Sequence, residues 1–411
     1  MKRPKVLFFD MSFTYENIQE RNLWSAVQSR SLDNYFSFVI SVHPLAGIAD
    51  QTNPSYGIYK EYAIDKNHIL IEGTLGVSKI FNFLPKFNFA ISQFLFLIKL
   101  LIIAKKYQVD VVRIGDPYFS GIVGYILKKT LNIPLVIRVP SRYDNVYLAT
   151  NKPVMPGLFK TRAFEKKIEK FVFKKADLIA GANLDNMNYA IENGASEKKC
   201  TVFRYGNLLD KCHWIVPEDR PIASSILESI GLVDVPFIAT VTRLESIKYV
   251  DHILYTVHEL KKRKILIHAL IIGDGSLRKN LEELAISLEI NDLIIFAGNR
   301  TQNWISVILP HSKIILSPHM GRGLAEAALS GTPIVAYDND WQREVIINEE
   351  TGFLVEDKNF LKMADCAEIL LNNKILAKDL SKNARSHIES MMNPEALNAH
   401  EIKSYNKVIN I

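Results

Sequence analysis

Short β-branched runs alternate with helical stretches along almost the whole chain, and that rhythm restricts the fold more than any other feature. In the first half the runs are KVLFFD (5–10), FSFVISV (36–42), VDVVRIG (109–115), IPLVIRV (133–139) and DLIAGA (177–182). Between them lie IVGYILKKT (122–130) and FEKKIEKFVFKKA (164–176), the latter with Ile168, Phe171 and Val172 on one face and lysines on the others. The second half repeats the logic. Its strands are predicted at 236–242, 265–273, 292–298, 313–318, 332–337 and 352–357, and its helices at 251–263, 276–288, 304–309 and 323–331. Gly331 supplies a C-terminal stop. Such alternation implies parallel sheets with helices on both faces.

A chain of 411 residues exceeds what one hydrophobic core usually supports, so two domains are expected. The segment 208–225 has two prolines, mixed charge and no steady period, and reads as the linker. The expected division is an N-terminal domain at 1–212, a C-terminal domain at 213–392 and a closing helix at 393–411.

Charge is unevenly spread. Residues 1–210 have 28 Lys and Arg against 18 Asp and Glu, a net of +10, and residues 211–411 a net of −4. A basic half suits an anionic partner such as a membrane surface, a phosphorylated lipid or a nucleic acid; a solvated lysine-rich surface explains it equally well. Three cysteines, Cys200, Cys212 and Cys366, fit neither a zinc site nor a disulfide framework and point to a reducing cytoplasm. VLFFD after the basic Met1-Lys2-Arg3-Pro4-Lys5 is too short for a signal peptide. The stretch FAISQFLFLIKLLII (89–103), followed by Lys105 and Lys106, is interrupted by Ser92, Gln93 and Lys99. It reads either as a buried helix of an α/β domain or as an interfacial helix among lipid headgroups.

In open α/β sheets, ligands bind beyond the carboxyl ends of the strands. Three loops there have suggestive chemistry. Arg243 and Lys248 follow the strand at 236–242, and two cations at one strand end can reach a diphosphate. Gly273-Asp274-Gly275-Ser276 is a glycine turn, although Arg278 stands where a dinucleotide fingerprint needs its third glycine. The segment 317–337 has Gly321 and Gly323 ahead of a helix, whose free N–H groups would make an anion site, with Glu326 in its first turns. Each loop taken alone is better explained as a plain turn or a surface charge.

Their order carries more. Strand–Arg…Lys, strand–GDGS, FAGNR, strand–SP–glycine turn–Glu helix and TGFLV follow one another over 236–357, and there the chain resembles the GT-B glycosyltransferases of family four, which are mostly retaining. The resemblance implies two tandem Rossmann-like domains facing across a cleft, with a C-terminal helix returning to the first. It implies that Arg243 and Lys248 bind the donor diphosphate, with Glu326 holding the ribose as the second glutamate of an E-x7-E motif. Gly273 and Gly275 would line the nucleotide site, and Gly298, Asn299 and Arg300 would hold the base. Gly323 and Leu324 would present N–H groups to the phosphates, with Gly321, Arg322 and Ala325 also at the donor site. The first glutamate of the motif would fall at 318, where this chain has Pro318, which leaves His319 or Arg322 as a substitute contact. On the acceptor side the loops offer Asp116, Arg142 and Asp144, with no histidine.

The resulting expectation is a metal-independent, cofactor-free sugar transfer from a UDP- or GDP-type donor. The acceptor would be a glycan or lipid-linked saccharide, with peripheral contact at the inner face of the membrane and no nucleic acid. The missing glutamate keeps a non-catalytic binding or scaffold subunit as the alternative. A nicotinamide oxidoreductase is disfavoured, since neither half places GxGxxG after a first strand.

Overall fold

The computed structural model describes residues 3–20, 23–49, 54–206, 209–221 and 223–410. Met1, Lys2, Leu208 and Ile222, named above with the N-terminus and the linker, lie outside the described residues. The chain divides into two compact units, Met1–Leu208 with Pro394–Ile411, and Leu209–Asn393.

The first unit holds an eight-stranded sheet: β1 Lys5–Phe9, β2 Phe38–His43, β3 Tyr59–Asp65, β4 His68–Gly73, β5 Val111–Ile114, β6 Leu135–Val139, β7 Leu178–Gly181 and β8 Cys200–Val202. Their spatial order is β3-β4-β2-β1-β5-β6-β7-β8. All neighbours are parallel except β3 and β4, an antiparallel pair at one edge. Strands β5 and β7 are buried at every position, so both faces are covered and their sequences read as unbroken apolar runs. Two expectations change here. The β3–β4 hairpin was not anticipated: β3 alternates Lys60, Glu61 and Asp65 with half-buried residues, because an edge strand has one solvated face. The three-residue β8 is too short to announce itself. The helix Pro394–Ile409 packs into this unit, where Tyr405 is fully buried and the Arg113 guanidinium pairs with Glu401 and donates to the Tyr405 hydroxyl at 3.0 Å.

The second unit holds a six-stranded parallel sheet: β9 Phe237–Val241, β10 His268–Ile272, β11 Ile294–Gly298, β12 Ile314–Ser317, β13 Ile334–Tyr337 and β14 Phe353–Val355, in the order β11-β10-β9-β12-β13-β14. Its core runs from β9 residue Ile238 through Ile253, Leu254 and Val257 of the helix Val250–Lys262 to Met363 and Ala367 of the helix Phe360–Asn372. The segment read as a linker belongs to this unit from Leu209 onward. Arg220 explains why: its guanidinium donates to the carbonyls of Ile215 (3.0 Å), Ser306 (2.6 Å), His213 (2.8 Å) and Leu329 (2.8 Å), so a buried cation staples the segment down. The unit boundary therefore falls at 208/209 and not at 212/213.

Candidate functional site

In the second sheet β9 has β10 on one side and β12 on the other, so chain direction switches at β9. The crossovers after β9 and β12 run to opposite sides of this point, and it is beyond the strand ends at such a point that an open α/β sheet takes a ligand. The loops after β9, β10 and β12 meet at this edge. Gly273 makes the approach possible. It has φ +133°, and a Cβ there would lie 1.9 Å from the Thr242 carbonyl oxygen. Gly275 lies against the Leu244 backbone, whose N–H donates to Asp274 O (3.1 Å) and whose carbonyl accepts from Leu277 N (2.9 Å). Glu245 ties the same two loops, accepting from Ser276 N at 3.2 Å and Ser276 Oγ at 2.7 Å; these bonds hold its carboxyl below the ordinary glutamate value. Gly323 meets the strand end itself: a Cβ there would stand 2.7 Å from Val241 O.

Arg243 and Lys248 both sit on the β9 loop, Arg243 exposed and Lys248 half-buried on the short 3-10 turn Ser246–Lys248. Burial lowers the Lys248 ammonium below the ordinary lysine value and the positive field of Arg243 adds to it, while Asp340 opposes the shift. Arg243 and Lys248 thus lie within each other's field at the sheet edge, with the Asp340 carboxylate also acting on Lys248. Glu326, in the helix Gly323–Leu329, is buried and accepts from Arg322 Nε at 3.1 Å. On the β11 side, Gly298 (φ +69°) accepts from Gly273 N–H at 2.9 Å, Asn299 is exposed, and the Arg300 guanidinium lies over the Trp304 ring at 5.2 Å.

Two expectations about the β12 loop are corrected. Leu324 does not present its N–H outward; the helix opens as a tight turn in which Leu324 donates to Gly321 O (3.0 Å) and Ala325 to Arg322 O (2.9 Å). The Gly323 N–H is not part of these turns. His319, expected as a substitute sugar contact, has both ring nitrogens on protein acceptors, Nδ1 with Ile247 O at 2.6 Å and Nε2 with Asp340 Oδ2 at 3.2 Å. It stacks near Tyr249 and so links the β12 loop to the cationic β9 loop.

Sequence reading missed the loop after β13. Gln342 is fully buried and organises the 317–320 turn: its Oε1 accepts from Ser317 Oγ and from Met320 N (3.3 Å), and its Nε2 donates to Pro318 O (3.1 Å) and Tyr337 O (2.9 Å). Asp340, in the left-handed region at φ +48°, brings a carboxylate beside His319 and Lys248. The available signal was position alone, directly beyond the carboxyl end of a strand that neighbours β12.

The three acceptor-side residues lie in the first unit. Asp116 follows β5, next to the direction switch at β1, and is buried. Burial pushes its carboxyl up to about 6, against hydrogen bonds from Ser120 and from backbone N–H groups including that of Tyr118 at 2.9 Å. Arg142 and Asp144 are committed elsewhere. Arg142 pairs with Asp185 (2.9 Å) and Glu192 (2.7 Å). Asp144 pairs with Arg162 (2.8 Å) and Lys166, which outweigh burial and hold its carboxyl low. They frame a buried network in which Glu169 accepts from Arg162, Tyr118 and Tyr189.

Residues 225–387 match the family of glycosyl transferases group 1. An uncharacterized glycosyltransferase of Methanocaldococcus jannaschii is 26% identical over 60% of this chain and 61% of its own. The alpha-monoglucosyldiacylglycerol synthase of Streptococcus pneumoniae is 22% identical over 70% of this chain and 64% of its own. The chain thus spans under two thirds of the length of both relatives. Anabaena HepE, solved in complex with UDP and glucose, superposes with a TM-score of 0.68 at 15% identity, over 98% of this chain and all of that one. The chain has the GT-B fold, and the family match to the group 1 glycosyl transferases lies in its second unit.

Proposed function

We propose that the protein is a glycosyltransferase. It moves a sugar, with retention at the anomeric carbon, from a UDP- or GDP-type donor to a glycan or lipid-linked saccharide acceptor in cell-surface glycan synthesis. The observation that carries the reading is the Arg243–Lys248 pair at the direction switch of the second sheet, beside the Gly273–Gly275 turn. When the bond from the anomeric carbon to the diphosphate breaks, negative charge grows on the departing phosphate. Lys248, already partly desolvated, would stabilise that charge with little reorganisation, and the exposed Arg243 would add to its field. Glu326, held by Arg322, is placed to accept from ribose hydroxyls, and the Gly298–Arg300 backbone to hold the base. The Streptococcus pneumoniae relative is named for a glucosylated diacylglycerol and the Anabaena structure contains UDP and glucose, which support a nucleotide-sugar donor and are compatible with a lipid acceptor. Three free cysteines support a cytoplasmic setting.

A thermal-shift panel of UDP, GDP, ADP and NAD tests the reading, since a ligand that binds only the folded state raises its stability. A rise with UDP or GDP, followed by sugar release from the matching nucleotide sugar, is expected. A shift with NAD alone refutes it, and binding without turnover leaves a sugar-nucleotide-binding subunit.

A further inference from the structure

Among its described residues the first unit presents an exposed apolar face. The helix Pro85–Tyr107 sits on the sheet through Phe96, Leu100, Ile103 and Ala104, which join the core. Its opposite face is also apolar. Phe83, Phe87, Ile91, Phe94, Ile98 and Ile102 are exposed at steps of three and four residues, with Phe83 at 73% and Phe94 at 63%. From Phe87 to Ile102 that spacing is one stripe of the helix, roughly 23 Å long, and Phe83 precedes it in the 3-10 turn Lys79–Phe83. Ile80, in the preceding 3-10 turn, extends it at 80% exposure.

The helix is long and apolar enough to cross a bilayer by length and composition. Its bonds to the unit fit lying on one instead. Asn88 is buried and accepts from Val77 N (2.8 Å) while donating to Ser78 O (2.8 Å); Ser92 meets Thr74 Oγ1 at 2.9 Å; Gln93 donates to Pro44 O at 3.1 Å. Pulling the helix into a membrane would break these bonds and strip the core residues from the sheet.

Charge selects the occupant. From Gly73 to Val109 the sequence has five lysines, at 79, 86, 99, 105 and 106, and no Asp or Glu. All five are exposed. An isologous pairing of two copies through this face would set lysine against lysine, whereas anionic headgroups complement every one of them. An open hollow of about 470 Å³ lies at the C-terminal end of the stripe, with Leu101, Ile102, Leu131, Ile133 and Lys105 in its lining.

We propose that this face seats the first unit in the headgroup layer of an anionic bilayer, with the Phe87–Ile102 stripe in the acyl boundary and the lysines on the phosphates. The inference stands apart from the sugar-transfer reading and holds whichever acceptor is used.

Flotation of the full chain with phosphatidylcholine vesicles, with and without phosphatidylglycerol, tests it. Binding to the anionic vesicles, weakened by salt, is expected. Lys86→Gln with Lys105→Gln should weaken it about fivefold per lysine. Phe87→Ser with Phe94→Ser should weaken it more than tenfold, since each buried phenyl contributes strongly to transfer. Both variants alter exposed side chains and should keep the wild-type Tm and circular dichroism spectrum. Equal binding to both vesicle types, binding to neither, or binding indifferent to both variants overturns the proposal. So does a lipid-free dimer in the ultracentrifuge that the phenylalanine variant dissociates, which would make a second copy the occupant.

Discussion

Lys248→Ala isolates the anion site most directly. In the free protein its ammonium is disfavoured by burial and by Arg243, so its folded-state value lies below that of an unfolded lysine. The charged form therefore costs stability in full below that lowered value, and the cost falls away as pH rises from it to the ordinary lysine value. Removing the side chain takes away an unfavourable charge, so the variant should keep its fold and a Tm close to wild type. Ligand affinity behaves oppositely. A diphosphate restores the favoured ammonium, and the lost charge-assisted bonds are worth about 1.5–3 kcal/mol, roughly 10- to 150-fold in Kd. An exposed ion pair would deliver at most about 1 kcal/mol, so the size of the effect reports the partial burial. The proton linkage gives a second signature. Wild-type UDP affinity should fall with rising pH through the lowered lysine value. Arg243→Ala, which lifts the repulsion, should move that fall to higher pH, and Lys248→Ala should abolish it. Isothermal titration calorimetry in two buffers of different ionisation enthalpy measures both affinity and proton uptake. A Lys248→Ala protein that binds UDP within about twofold of wild type, or that keeps the alkaline loss of affinity, refutes the assignment.

Glu326→Gln should lower kcat/KM with the best donor by about 10- to 100-fold, because a neutral amide is a weaker acceptor for hydroxyls and for Arg322 Nε; wild-type kinetics would reduce Glu326 to a helix-end charge. With Pro318 at the expected glutamate position and both His319 nitrogens engaged, a donor lacking the corresponding sugar hydroxyl should be accepted within about tenfold. His319→Ala should instead weaken UDP binding by loosening the Ser246–Lys248 turn, and a strict rejection of every deoxy donor would defeat this account. Asp116 has a folded-state value near 6, above that of an unfolded carboxyl, so its contribution to stability is lost as pH rises from about 4 to 6. Asp116→Asn should flatten that slope, gaining on the order of 1–3 kcal/mol relative to wild type at neutral pH; parallel pH profiles of urea unfolding would contradict it.

Most of the backbone was legible in the sequence. Strand and helix periods depend on residues two to four apart, and a strand buried on both faces shows itself as an apolar run, as in VVRI of β5 and LIAG of β7. The glycine turn after β10 and the cations after β9 were legible for the same reason, since each is a short pattern at a strand end. The misses share one cause, which is dependence on distant partners. The edge strand β3 exists because β4 pairs with it. Residues 209–221 join the second unit because Arg220 reaches carbonyls at 306 and 329. The engagement of His319 is decided by Ile247 and Asp340, and the shape of the Pro318 turn by Gln342. The helix Pro85–Tyr107 shows the division most clearly. Its apolar residues run around the whole circumference, so its sequence specifies a helix but neither face; contact with the sheet buries Phe96 and Leu100 and leaves Phe87 and Phe94 to the solvent. Local periodicity sets the backbone hydrogen-bond pattern, and only packing between segments far apart in sequence decides which side chains meet.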